Sequence, residues 1–439
     1  MILAGAIGIP PTADQRTARA QCSIPNPRRE QYERHCRGKG RPPPPAMLDV
    51  SHKVSGWLLC PRHFPGASGT AQDRRTLPPS EPRRLGWTLR PYQRAALDAW
   101  VATDGDGVVV APCGAGKTLI GCAALAAVHT PAVVLVHTRD LATQWIERIG
   151  EAMPGVEVGE VRHGKDEREA DVVVATLQSL TRWDWAELVA WGRGRGLVVV
   201  DECHHIPAQT FARVMMGLAG RYRLGLTATP ERADGLTQLI HWTLGDTVHE
   251  VQRDDLQSAG HVLTPQIRVI QTRFAPDAGQ VHERRRQLAQ DQDRNELLVG
   301  EVLALAKERR RVLVLVDLVE HARTLEIALT LQGCEARALV GKMTAKQRRA
   351  VLLDLERGAV SAVIATSLAD EGLDVPSLDA CVLATPCGNV GRVEQRIGRV
   401  LRPSDGKRRP VVLDLVDAFG PARGYWRRRA KLYRERGWK

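Results

Sequence analysis

Val108-Val109-Val110-Ala111 runs straight into Pro112-Cys113-Gly114-Ala115-Gly116-Lys117-Thr118. The order is apolar strand, glycine-rich loop, helix start. Gly114 and Gly116 let the backbone curl until its amide N–H groups face phosphate oxygens. The helix beginning near Lys117 adds the positive end of its dipole. Lys117 would reach the β- and γ-phosphates, and the Thr118 hydroxyl would hold Mg²⁺. Ala111 stands where the usual pattern has glycine, a mild departure. The alternative is a glycine-rich strand-to-helix turn without ligand.

A second apolar run, Leu197–Val200, ends in Asp201-Glu202-Cys203-His204-His205. In an open parallel sheet, ligands sit at the carboxyl ends of strands. Asp201 would complete the Mg²⁺ shell through water, and Glu202 would polarise an attacking water. A strand ending in two acids also suits a plain surface turn, so the pair gains its meaning from the phosphate loop. Cys203, His204 and His205 invite a zinc reading, but adjacent residues rarely converge on one ion. An orienting role suits His204 better.

These groups need a frame to hold them. Val-rich runs recur at 133–136, 172–175 and 222–226, with Ala/Leu-rich helical segments between them. A second series occupies 312–316, 336–340, 362–365, 380–383 and 411–413. Alternating apolar strands and helices predict an α/β protein, each sheet mostly parallel and flanked by helices. The expected divisions are a Pro-rich basic arm at 1–87, partly irregular, and a first domain at 88–250. A linker at 251–290, a second domain at 291–420 and a basic helix at 421–439 follow.

The chain has 439 residues, 43% hydrophobic and 26% charged, which excludes a disordered or fibrous protein for most of its length. Its net charge of +12 suggests a polyanionic partner. Residues 1–89 hold 14 basic and 6 acidic side chains, 403–439 hold 11 and 4, and 90–402 hold 37 and 40. The excess therefore lies in the two ends. On that count, removing residues 1–85 should weaken affinity for that polyanion and its salt dependence more than turnover at the phosphate loop. No stretch approaches the ~18 apolar residues of a membrane span, and MILAGAIGI lacks the basic start of a signal peptide. The nine cysteines are scattered, which points to reduced thiols and a cytoplasmic protein. Cys60-Pro61-Arg62-His63 has the form of half a zinc knuckle, with Cys22, His35, Cys36 and His52 as possible partners and free thiols as the alternative.

Further blocks follow in order. They are Leu89–Gln93, His137–Leu141, Ala175–Leu180, Leu226–Pro230, Ala365–Pro376 and Gln395–Arg402. With APCGAGKT at 111–118 and DECH at 201–204, the set resembles a superfamily 2 helicase or translocase across about residues 88–436. DECHHIPAQTF followed by RLGLTATPERADG is most similar to XPB-type DNA translocases and their bacterial and phage relatives. The resemblance implies two tandem RecA-like domains, ATP with Mg²⁺ as cofactors, and DNA as partner, duplex or branched. RNA is the runner-up, and an ATP-switched DNA-binding subunit of a repair or restriction complex is a third reading. The motor is expected to be a monomer.

The resemblance also distributes roles. Lys117, Asp201, Glu202, Gln395, Arg399 and Arg402 would be catalytic, the two arginines meeting γ-phosphate oxygens with forked donors. Gln93 would read adenine, and Gly372 and Asp374 join the phosphate loop on the nucleotide. Thr138, Arg139, Thr176, Gln178, Lys342 and Thr366 would hold nucleic-acid phosphates. Helix capping by the threonines is the competing reading. At the C-terminal end, Arg427–Arg429, Lys431, Arg434 and Arg436 alternate with Tyr425, Trp426, Tyr433 and Trp438. Such a helix can track phosphates, or dock its aromatics on its own domain; the two can hold on opposite faces.

Overall fold

The computed structural model describes every residue except 1, 4, 5, 10, 12, 27, 28, 30–45, 56, 65–74, 113, 206, 207, 229–235, 278, 342, 367–374, 405 and 439. The chain divides into two compact units. Met1–Pro112 with Gly116–Val251 form the first, and Gln252–Lys439 with Cys113–Ala115 form the second.

Proline density predicted an irregular arm over 1–87, and the described part of it is more ordered than that. Short strands β1 (Ile2–Leu3), β2 (Ala6–Ile9), β3 (Ser23–Pro25), β4 (Met47–Asp49), β5 (His52–Val54) and β6 (Trp57–Pro61) accompany a helix at Gln15–Gln21. They form an antiparallel sheet in the order β1-β2-β6-β5 and a β3-β4 pair. Pro25 and Pro61 stand at strand ends, where a missing N–H breaks no ladder. Ile7, Cys22, Ile24, Leu58, Leu59, Cys60 and Phe64 share one apolar cluster with Ala212, Met216, Leu239 and Trp242. The last four belong to the helices Ala208–Gly217 and Thr237–Leu244 of the following α/β domain.

Several cations of this arm are used up internally. The buried Arg62 guanidinium meets Asp106 at 3.1 Å and donates to the carbonyls of Gly220 and Arg221. Buried Arg83 donates to Asp171 at 2.6 Å and to the carbonyl of Thr130 at 2.7 Å. His63 lies 3.5 Å from Asp106, and the His52 ring packs against Trp185 at a tilt of 51°. Cys22 and Cys60 are buried free thiols. Cys36 and His35 lie outside the described residues.

The Val-rich runs become a second sheet. Its strands are β7 (Asp106–Val110), β8 (Ala132–Val136), β9 (Val158–Arg162), β10 (Lys165–Asp166), β11 (Val172–Thr176), β12 (Leu197–Asp201), β13 (Tyr222–Thr227) and β14 (Thr247–Glu250). The order is β10-β9-β11-β8-β12-β13-β7-β14, parallel throughout except for β10 at one edge. β8, β11 and β12 are buried along their whole length, the pattern expected when helices cover both faces. The edge strand β14 pairs with the phosphate-loop strand through Thr247↔Val108, His249↔Val109 and Glu250↔Val110. Val251 N–H then donates to the Val110 carbonyl at 2.8 Å, one residue before the second unit begins.

The second unit holds β15 (Gln266–Gln271), β16 (Val312–Val316), β17 (Ala336–Leu339), β18 (Ala362–Thr366), β19 (Ala380–Leu383) and β20 (Val411–Val416). All are parallel, in the order β15-β20-β19-β16-β18-β17. Residues 251–290 are therefore not a linker. They supply the helix Arg253–Ser258, the edge strand β15 and the helix Val281–Gln290. Gln-Ile-Arg-Val-Ile-Gln mixes polar with apolar side chains and none of the six is fully buried, so it lacks the apolar run that marks the central strands.

One ion pair anchors this unit. Arg294 and Asp417 have no exposed side-chain surface and meet at 2.7 Å. Asp417 also accepts from Thr272 at 2.6 Å, and Arg294 donates to the Ala384 carbonyl at 2.6 Å. Removing one partner leaves a buried charge without its counterion, at about 3–5 kcal/mol. Arg294→Ala should therefore lower the unfolding free energy of the second unit, measured in urea, by that amount; an unchanged value would show that the pair contributes nothing.

The C-terminal helix, Gly420–Glu435, uses its two faces differently. Arg429 forks onto Asp414 with both contacts at 2.8 Å, and the Tyr433 hydroxyl donates to the same carboxylate at 2.7 Å. Arg423, Arg427, Arg428, Lys431 and Arg434 point to solvent.

Candidate active site and nucleic-acid face

The strand order brings the carboxyl ends of β7, β8, β11, β12 and β13 to one edge. Gly114 and Gly116 have φ of +91° and +77°, the left-handed backbone that glycine adopts at no steric cost. A Cβ on Gly116 would sit 2.7 Å from Nε2 of Gln93, so this position is also closed by a neighbour. Gln93 thus lies against the phosphate loop. Its Oε1 accepts the Arg90 N–H at 3.0 Å and caps the helix Pro91–Ala102.

Lys117 opens the helix Lys117–Ala127, with Thr118 next to it. The Lys117 ammonium is 3.3 Å from Oε1 of Glu202 and 3.4 Å from the Ala111 carbonyl. Glu202 has φ of +46°, uncommon for a side chain with Cβ. That turn swings it off the end of β12 toward the lysine. Its backbone N–H donates to Oδ1 of Asp201 at 3.0 Å. Burial pushes the Asp201 carboxyl up to about 6, and the Glu202 charge pushes the same way; the Trp145 hydrogen bond and Lys117 oppose them. His204 Nδ1 lies 2.7 Å from the Thr227 hydroxyl at the end of β13 and 3.5 Å from Glu202. His204 thus lies between Glu202 and Thr227, the second residue of the Leu226–Pro230 block.

The nucleic-acid candidates of this domain share the same edge. Thr138 caps the helix Arg139–Ala152 by accepting the Leu141 N–H at 3.3 Å, which leaves its own O–H to donate. Arg139 is exposed beside it. Thr176 is 5% exposed, and its hydroxyl lies 2.8 Å from that of Ser179. It is the least available of the set. Gln178 is exposed and donates to the His137 carbonyl at 3.0 Å, tying the loops after β8 and β11 together.

In the second unit, Thr366 ends β18 and is buried. Gln395 and Arg399 lie on the helix Val390–Val400. That helix ends in a C-cap at Leu401, so Arg402 stands past it. Glu394, which the sequence did not single out, binds Arg253 at 2.7 Å and Arg436 at 2.8 Å and fixes the helix in place. Cys113, Lys342, Gly372 and Asp374 lie outside the described residues. Trp145 was also missed. It sits on the buried stripe of its helix with Ala142, Ile149 and Ala152, where a tryptophan reads as ordinary core.

A phosphate loop and an acidic pair at the carboxyl edge of a parallel sheet, followed by a second parallel-sheet domain, define a P-loop protein built on two RecA-like domains. Residues 86–232 match the family model described as type III restriction enzyme, res subunit, and residues 293–404 match the helicase conserved C-terminal domain. The chain belongs to superfamily 2 of the helicases, on the side of the XPB and Rad25 proteins. It is 33% identical to Rad25 of Halobacterium salinarum over 346 residues, 76% of this chain and 55% of the relative. It is 31% identical to the DNA 3'-5' helicase XPB of Mycobacterium tuberculosis over 339 residues, 73% and 59%. The chain thus spans little more than half the length of these relatives. In fold it is similar to S. cerevisiae Dbp5 bound to RNA and ADP BeF3, with a TM-score of 0.60 and 17% identity over 80% of this chain and 88% of that one. Among the described residues no helix is long and apolar enough to cross a membrane.

Proposed function

We propose that this chain is an ATP-dependent DNA translocase or helicase that couples ATP hydrolysis to movement along duplex or branched DNA. The observation that carries the reading is the convergence of Lys117 on Glu202 at 3.3 Å, beside Asp201, at the carboxyl edge of the sheet. Lys117 and the loop amides would bind the β- and γ-phosphates. Glu202, held near both Lys117 and His204, would orient the attacking water and take its proton.

Thr118 and Asp201 are hard oxygen donors at the loop helix and the strand end, a set that fits Mg²⁺. Bound there, the ion would neutralise charge on the phosphate oxygens. Gln93, beside the loop, favours adenine. Gln395, Arg399 and Arg402 are kept as the catalytic residues of the second domain on the strength of the QRIGRVLR block, and Gly372 and Asp374 as nucleotide contacts. Thr138, Arg139, Thr176, Gln178, Lys342 and Thr366 are kept as sequence-independent phosphate contacts. The exposed cations of the C-terminal helix suit the same polyanion. The XPB relatives are named 3'-5' helicases, and movement in that sense is the reading adopted for this chain, as a monomer acting where DNA is, in the cytoplasm or nucleoid.

ATP turnover measured in parallel with duplex DNA, single-stranded DNA and RNA tests the proposal. DNA should stimulate turnover at least tenfold more than RNA, an amount equal to ~1.4 kcal/mol. Equal or greater stimulation by RNA would move the chain to the RNA helicases.

A further inference from the structure

We propose that Trp145 is a positioning residue for the carboxylate of Asp201, setting the direction in which that carboxylate meets magnesium. The inference rests on the phosphate-site reading above. Trp145 is 1% exposed, and its indole Nε1–H donates to Oδ2 of Asp201 at 2.8 Å. The other oxygen, Oδ1, accepts the Glu202 N–H at 3.0 Å. A carboxylate tied by a different donor at each oxygen cannot turn about its Cβ–Cγ bond, so its remaining lone pairs point one way. Each partner also needs the other. A buried indole N–H without an acceptor costs free energy, as does a buried carboxylate without donors.

The phosphate-loop helix is shaped to admit the ring. A Cβ built on Gly121 would fall 2.4 Å from Cη2 of Trp145. Gly121 stands four residues after Lys117, inside a helix where alanine would be the better former by about 1 kcal/mol. The glycine makes room for the indole between that helix and the end of β12. Trp145 therefore keeps Asp201 in register with the helix that carries Lys117 and Thr118. Residues that orient a metal-holding side chain typically change metal affinity or activity by 10–100-fold when replaced.

Two variants separate the N–H from the bulk of the ring. Trp145→Phe removes the donor, and Trp145→Phe combined with Gly121→Ala returns a methyl to the space the indole leaves. Mn²⁺ binding, read by electron paramagnetic resonance in the presence of a non-hydrolysable ATP analogue, should weaken about 10–100-fold in both. Binding of the analogue in EDTA should stay at the wild-type value. Mn²⁺ affinity within twofold of wild type in Trp145→Phe overturns the proposal. So does recovery of Mn²⁺ affinity in the double variant, because the ring would then only be filling space. A wild-type protein that binds neither the analogue nor Mn²⁺ with it would instead sink the phosphate-site reading, and this inference with it.

Discussion

Glu202→Gln should abolish DNA-stimulated ATP hydrolysis while leaving ATP bound. Glutamine keeps the size of the side chain and can still reach Lys117 and His204. It cannot accept a proton from water. Loss of a positioned base lowers turnover by about 10²–10⁴-fold. The backbone at Glu202, with φ of +46°, is a strained position that the surrounding structure must hold. The substitution leaves that backbone in place, so folding should be unaffected. Lys117→Ala should also abolish turnover, but through a different quantity. It removes the ammonium that would meet the phosphates, so nucleotide affinity falls with it. The measurement is a pair of titrations, stimulated turnover and nucleotide binding, on both variants. Turnover within threefold of wild type in either would show that these residues are not the catalytic pair.

Deleting residues 1–64 should destabilise the first α/β domain rather than merely weaken DNA binding. The charge count alone argued for a basic arm that reaches for DNA. The structure puts its apolar residues against Met216, Leu239 and Trp242, each at most 6% exposed. Burying a side chain of this size contributes about 1.5–3 kcal/mol, so uncovering three removes roughly 5 kcal/mol. At about 2–4 °C per kcal/mol for a domain of this size, the melting temperature should drop by about 10–20 °C. Loss of Arg62 from Asp106 adds to this. A truncated protein that melts with the wild type would show that the sheet only rests on the domain, and would return the arm to the role that its charge suggested.

Elements with a strong one-dimensional signature were legible from sequence. β8, β11, β12 and β16 are unbroken apolar runs, and the phosphate loop and acidic pair fall at the ends of such runs. β15 was lost because polar residues interrupt its apolar ones and leave no apolar run. The N-terminal strands other than β6 were lost because they are only two to four residues long. Contacts far apart in sequence were not legible at all. Trp145 and Asp201 are 56 positions apart, and Arg62 and Gly220 are 158 apart. The threonines show a different limit. Thr138 caps a helix and keeps a donor free at the same edge, so capping and phosphate binding were never exclusive readings of its hydroxyl.

The pairing of β14 with β7 has a mechanical side. The chain leaves the first unit at Val251, hydrogen-bonded to the last residue of the phosphate-loop strand. The two strands run parallel. A pull on the chain along β14 therefore loads their hydrogen bonds in shear, all together, instead of peeling them open in turn. Tension arriving at Gln252 is delivered to β7 as a sliding force on the strand that ends at Val110, one residue before the phosphate loop begins at Ala111.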